Sequence, residues 1–102
     1  MEVRLKDLSD ELCFYLKGEL DEHYAKGVKQ YIDDVISKRV GIKRVIFDLS
    51  GLDFMDSTGV GMLLGRYKRL KKIGADCYIG SPKPSVEKVI EVSGIYDIMP
   101  KI

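Results

Sequence analysis

Tryptophan is absent, histidine occurs once and cysteine twice in this chain of 102 residues. His23, Cys13 and Cys77 form no C-x-x-C pair and no mixed cluster, which argues against a zinc site. No metal and no cofactor is expected. Both cysteines sit in apolar, strand-like segments, where they are expected to act as small buried hydrophobes in a reducing compartment. No apolar run approaches ~18 residues, so no segment is expected to span a membrane. The opening Met1-Glu2-Val3-Arg4-Leu5 lacks the long apolar core of a secretory signal, and a cytoplasmic location is expected. A dominant charge is missing too, because 17 basic residues face 16 acidic ones for a net +1. That balance argues against nucleic acid or an anionic membrane as the main partner.

What is present suits one domain over residues 1–102. A globule of this length buries roughly 65% of its unfolded surface, enough for one core. Val3 and Leu5 alternate with polar neighbours, Ser9-Asp10 makes a turn, and Leu12 to Leu16 form a second strand that Gly18 ends, so the chain opens with a hairpin. Asp21 is expected to cap a helix carrying Tyr24, Val28, Tyr31, Ile32, Val35 and Ile36 at helical spacing. Val45-Ile46-Phe47-Asp48-Leu49 has the continuous apolar character of an inner parallel strand. A loop from Ser50 to Met55 then leads into a helix over 57–73, with Val60, Leu63, Leu64, Tyr67 and Leu70 inward and Gly74 as its stop. Cys77-Tyr78-Ile79 is a fourth strand. Pro82 and Pro84 precede a third helix that Gly94 closes, and a short last strand is expected at Ile98-Met99. The order predicts an α/β fold with a mixed, mostly parallel sheet of four to five strands packed with helices.

Sites in such folds lie beyond the carboxyl ends of the parallel strands. Two segments qualify, Gly18-Glu19-Leu20-Asp21 and Asp53-Phe54-Met55-Asp56-Ser57-Thr58-Gly59-Val60-Gly61. Ser57 and Thr58 open the helix, where their hydroxyls can cap free N–H groups. Gly59, Gly61 and Gly65 each cost that helix about 0.5–1 kcal/mol relative to alanine. Two uses fit them: a low surface for another protein's backbone, or close packing on the strand beneath. A phosphate on Ser57 would meet the favourable helix N-terminus and the repulsion of Asp53, Asp56 and Asp21.

Other chemistries fit less well. A hydrolase elbow needs G-x-S-x-G, yet Met55 stands two residues before Ser57. A receiver-like domain phosphorylated on Asp48 would need a magnesium site, and no acidic pair ends Val3-Arg4-Leu5-Lys6. Gly59-Val60-Gly61 lacks the lysine of a phosphate-binding loop. Arg66, Lys68, Arg69, Lys71 and Lys72 are expected to form a solvated helix face, with the steering of an acidic partner as the alternative.

Phe54-Met55-Asp56-Ser57-Thr58-Gly59-Val60-Gly61, continuing through Met62-Leu63-Leu64-Gly65-Arg66-Tyr67-Lys68, closely resembles the anti-sigma factor antagonists, which are STAS-domain proteins. Gly18-Glu19-Leu20-Asp21 and Ser93-Gly94-Ile95 match two further family segments. The Gly-Arg-Tyr-Lys continuation is most similar to the sporulation branch, the anti-sigma F factor antagonists, with the general-stress branch as the alternative. The resemblance implies a STAS-like domain that is no enzyme. It implies a monomer that binds an anti-sigma factor with serine-kinase activity, frees a sigma factor, and lets go once Ser57 is phosphorylated. A PP2C-type phosphatase would restore it. Glu19, Asp21, Asp56, Thr58, Gly59, Val60 and Gly61 are the implied partner-binding positions. The family pattern continues into a further helix where this sequence has Pro100-Lys101-Ile102.

Overall fold

The computed structural model describes residues 1–102. Strand β1 (Glu2–Leu8) pairs antiparallel with β2 (Glu11–Leu20), with Val3 opposite Leu16 and Leu5 opposite Phe14. Strands β3 (Arg44–Met55) and β4 (Asp76–Gly80) add in parallel, so the sheet order is β1-β2-β3-β4. Helices α1 (Ala25–Ser37), α2 (Ser57–Lys72) and α3 (Pro84–Ser93) fill the connections. The expected α/β class and mixed, mostly parallel sheet are therefore present.

The inward faces of β2 and β3 supply the centre of the core. Leu12, Phe14, Leu16 and Leu20 on one strand meet Val45, Phe47, Leu49, Leu52 and Met55 on the other, all buried. Phe14 and Phe47 stack with centroids 5.9 Å apart. Val28, Ile32 and Ile36 of α1 and Leu63 and Leu70 of α2 close over them. Each such side chain contributes roughly 1.5–3 kcal/mol by leaving water. Tyr31 sits at the margin of the α1 stripe, its ring edge against Phe14 and its remainder in solvent. Both cysteines are buried, and burial pushes the Cys77 thiol up to about 12 and the Cys13 thiol up as well. Neither presents appreciable thiolate.

Three expected boundaries move. Gly18 does not end β2, and residues 50–55 are not a loop, because both strands run on to a paired Leu20 and Met55. Two register shifts, between Tyr15 and Lys17 and between Gly18 and Glu19, accommodate extra β3 residues. Such bulges bend a strand and increase its local twist, which hides the alternation from a sequence pattern. Asp48 consequently lies mid-strand, where it accepts the Ser50 N–H at 2.9 Å. It is not at the sheet end that a receiver-like phosphoaspartate would require. Finally, Ile98-Met99 forms no strand. Ile95–Asp97 is a 3-10 turn, and the Met99 N–H returns to the Ile95 carbonyl. The outer edge of β4 is met instead by a single parallel bridge between Ile79 and Lys101.

Candidate functional site

Because β2 and β3 are parallel and in register at their ends, Leu20 and Met55 sit side by side, and the Asp56 N–H donates to the Leu20 carbonyl at 3.4 Å. The two signature segments therefore meet at one edge of the sheet. Glu19 is exposed at the end of β2. Asp21 follows, and its Oδ1 accepts the N–H groups of His23 at 3.0 Å and Tyr24 at 3.1 Å. Its carbonyl accepts the Ala25 N–H at 2.9 Å. Asp21 thus stabilises the turn ahead of α1 and is not the helix cap expected of it, because the helix itself starts at Ala25.

The cap of α2 is Asp56, not a hydroxyl of Ser57 or Thr58. Asp56 has extended backbone, and its Oδ1 accepts the N–H groups of Thr58 at 2.9 Å and Gly59 at 3.1 Å. Ser57 is the first helical residue, exposed, and its hydroxyl makes no hydrogen bond within the protein. Asp56→Ala should cost about 1 kcal/mol in a urea melt, the ordinary loss of a side-chain cap. Ser57→Ala should cost under about 0.5 kcal/mol, as at an unremarkable surface position. Equal losses would show that the two residues share the capping.

The charge around Ser57 differs from the expected ring of repelling carboxylates. Lys83 forms an ion pair with Asp53 and holds its carboxyl below the usual range, so Asp53 is no free negative charge. Lys88 joins Ser57, Val60, Val89 and Val92 around a groove of about 430 Å³ between α2 and α3. Val92 is 85% exposed there. No spacing rule in the sequence announced that α3 would deliver two lysines beside the Ser57 end of the sheet.

The glycines divide between both uses expected of them. A Cβ on Gly59 would stand 2.6 Å from the Leu20 carbonyl oxygen and 2.7 Å from Met55 Cγ. Gly59 is buried and lets α2 press on the strand ends, so it offers a partner no surface of its own. Gly61 and Gly65 have nothing within 4 Å of a built Cβ, and Gly61 is exposed. Gly59→Ala should therefore destabilise by about 1–3 kcal/mol through overpacking. Gly61→Ala and Gly65→Ala should each stabilise by about 0.5–1 kcal/mol through helix propensity. Denaturant midpoints check the signs, and a stabilising Gly59→Ala would contradict the packing.

The basic face of α2 also needs correction at one position. Arg66 is only 7% exposed. Its Nε lies 2.9 Å from Asp33 Oδ1 of α1, and Arg69 Nη1 lies 3.2 Å from the same oxygen. The Arg66 contact is an ion pair without hydrogen-bond alignment, which leaves Nε and Nη1 unpartnered. Burial lowers the guanidinium's pKa, and Asp33 opposes that shift. Lys68, Arg69, Lys71 and Lys72 are exposed as expected.

Residues 2–102 match the STAS domain. The anti-sigma F factor antagonist of Paenibacillus polymyxa is 32% identical over 100 residues, spanning 98% of this chain and 85% of that protein. The anti-sigma factor antagonist SpoIIAA in its unphosphorylated form superposes with a TM-score of 0.84 at 29% identity, covering 99% of this chain and 88% of that one. The Bacillus cell fate determinant SpoIIAA in the phosphorylated form gives 0.75 at 28% identity, covering 99% and 91%. A sheet with β1 antiparallel and β2 to β4 parallel, the α2 start set against the end of β2, and a sequence match over nearly its whole length together place this chain in the STAS-domain family.

Proposed function

We propose that this chain is an anti-sigma factor antagonist that works by partner switching. Unphosphorylated, it binds an anti-sigma factor that is also a serine kinase, and so frees a sigma factor for sporulation transcription. The kinase transfers the γ-phosphoryl group of ATP to Ser57 Oγ, whose proton leaves as the oxygen–phosphorus bond forms and ADP departs. The phosphorylated chain lets go, and a PP2C-type phosphatase hydrolyses the ester to restore it. The contact surface is Glu19, Asp21 and Asp56 at the strand ends together with Thr58, Val60 and Gly61 on the first turns of α2. Gly59 serves that surface from beneath by seating the helix.

The observation that carries this function is the state of the Ser57 hydroxyl. It is exposed at the first position of a helix whose cap is provided by Asp56, so it is free to enter a kinase site without any loss of folding contacts. A helix N-terminus also favours the added dianion through its dipole. The relatives named above support the class, and SpoIIAA itself has been solved in a phosphorylated form.

The test is mass spectrometry after incubation with an anti-sigma factor of the serine-kinase type and ATP. Phosphate is expected on Ser57, with none accepted by Ser57→Ala. Stoichiometric phosphate on Thr58 in the wild type would overturn the assignment.

A further inference from the structure

A groove opens between α1 and α2 and reaches Thr58, the neighbour of Ser57. It has a volume of about 530 Å³, and its wall includes Lys26 and Lys29 of α1 and Thr58, Gly61, Gly65 and Arg66 of α2. Neither lysine is in an ion pair within the chain. Glu22 is the one carboxylate on the wall, so the groove is cationic although the whole chain is nearly neutral. Arg66 is more than nine-tenths buried and paired with Asp33, so Lys26 and Lys29 are the reachable cations. Gly61 and Gly65 stand one turn apart on the groove floor, about 6 Å along the axis. They give up helix stability without relieving any contact inside the chain. Their lack of side chains does allow a foreign backbone to approach α2 closely.

We propose that the α1–α2 groove is a second contact for the same anti-sigma factor, and that it takes an acidic segment of that protein. The segment's backbone lies over Gly61 and Gly65, and its carboxylates meet Lys26 and Lys29. The proposal rests on the function put forward above for its partner, but not for its chemistry. A protein segment fits better than a lone anion, since the two lysines and the bare floor extend along the helices and do not converge on one point. Thr58 lies on the wall, so the groove is continuous with the Ser57 surface, and one partner can cover both.

Two measurements test it. The first is an amide NMR titration of the whole chain with a glutamate-rich peptide, with inorganic phosphate and a single-stranded oligonucleotide as the rival probes. Shifts at Lys26, Lys29, Gly61, Gly65 and Arg66 with the peptide alone are expected, fading as salt screens the charges. No shifts there would overturn the proposal, as would equal shifts with phosphate or displacement of the peptide by the oligonucleotide. The second is affinity for the anti-sigma factor. Lys26→Glu with Lys29→Glu should weaken binding at least tenfold at low salt, and Gly65→Leu should do so at any salt while melting no lower than wild type. Lys71→Glu with Lys72→Glu, an equal charge change outside the groove, should stay within about twofold, the weak effect of distant screened charge. Unchanged binding by the groove variants, or an equal loss in the control, sinks the groove and leaves Ser57 untouched. A wild type that binds no anti-sigma factor sinks the functional assignment instead, and the peptide titration then still decides whether the groove takes acidic chains.

Discussion

Phosphorylation of Ser57 is expected to weaken anti-sigma factor binding more than 100-fold while leaving the backbone of the sheet in place. The dianion arrives at the N-terminus of α2, where the helix dipole favours it, and Asp56 already holds the Thr58 and Gly59 N–H groups in helical geometry. Nothing in the first turn must unfold to make room, because Ser57 is exposed. The net charge nevertheless moves from +1 to about −1 at neutral pH. That change falls beside Asp56 and near Asp21, both facing the proposed partner. An unpaired phosphate driven into a protein interface costs several kcal/mol. About 3 kcal/mol is already more than 100-fold in affinity. With Asp53 paired to Lys83 and Lys88 on the same groove as Ser57, the phosphate meets less repulsion than the carboxylates alone would give, which further favours a folded phosphorylated state. Ser57→Asp should reproduce only part of the loss, with one charge and less bulk. Amide NMR of both forms and direct binding measurements check this. Shifts spread over β1 and β4, or tight binding by the phosphorylated chain, would defeat the local mechanism.

Asp33→Ala should be the most damaging single change outside the apolar core, costing about 3–5 kcal/mol. The physical reason is what it leaves behind. Arg66 is buried against α1 and has Asp33 as its only anionic contact. Removing one member of a buried pair strands an uncompensated charge. Arg69 also loses its contact, but with 44% of its side chain exposed it can turn to water at little cost. The loss corresponds to a Tm drop of about 12 °C or more for a domain of this size. Replacing both members, Asp33→Leu with Arg66→Met, should recover most of the stability, since a buried ion pair and its apolar substitute are often equivalent. The double variant should therefore be more stable than the sum of the singles implies. An Asp33→Ala chain within about 0.5 kcal/mol of wild type, by urea unfolding, would show that solvent reaches Arg66 after all.

The elements with strong internal period were determined by the sequence alone. Val28, Ile32 and Ile36 recur once per helical turn, Val45 to Leu49 run as a buried strand, and Gly74 and Gly94 adopt the left-handed φ of 80° that ends α2 and α3. The same local character made Asp53 to Gly61 stand out as a site. Tertiary structure decided the rest, and in each case the deciding partner is remote in the chain. The Ser57 and Thr58 hydroxyls were the expected caps of α2, yet Asp56 caps it, with its N–H on the Leu20 carbonyl at the end of β2. Asp53 lost its role as a repelling charge to Lys83, thirty residues further on. Arg66 looked solvated until α1 brought Asp33 against it. Gly59 and Gly61 are alike in sequence context, yet one faces the Leu20 carbonyl and the other faces open space. Local propensity sets backbone shape within a few residues, whereas burial, charge pairing and free surface depend on which segments the sheet brings together.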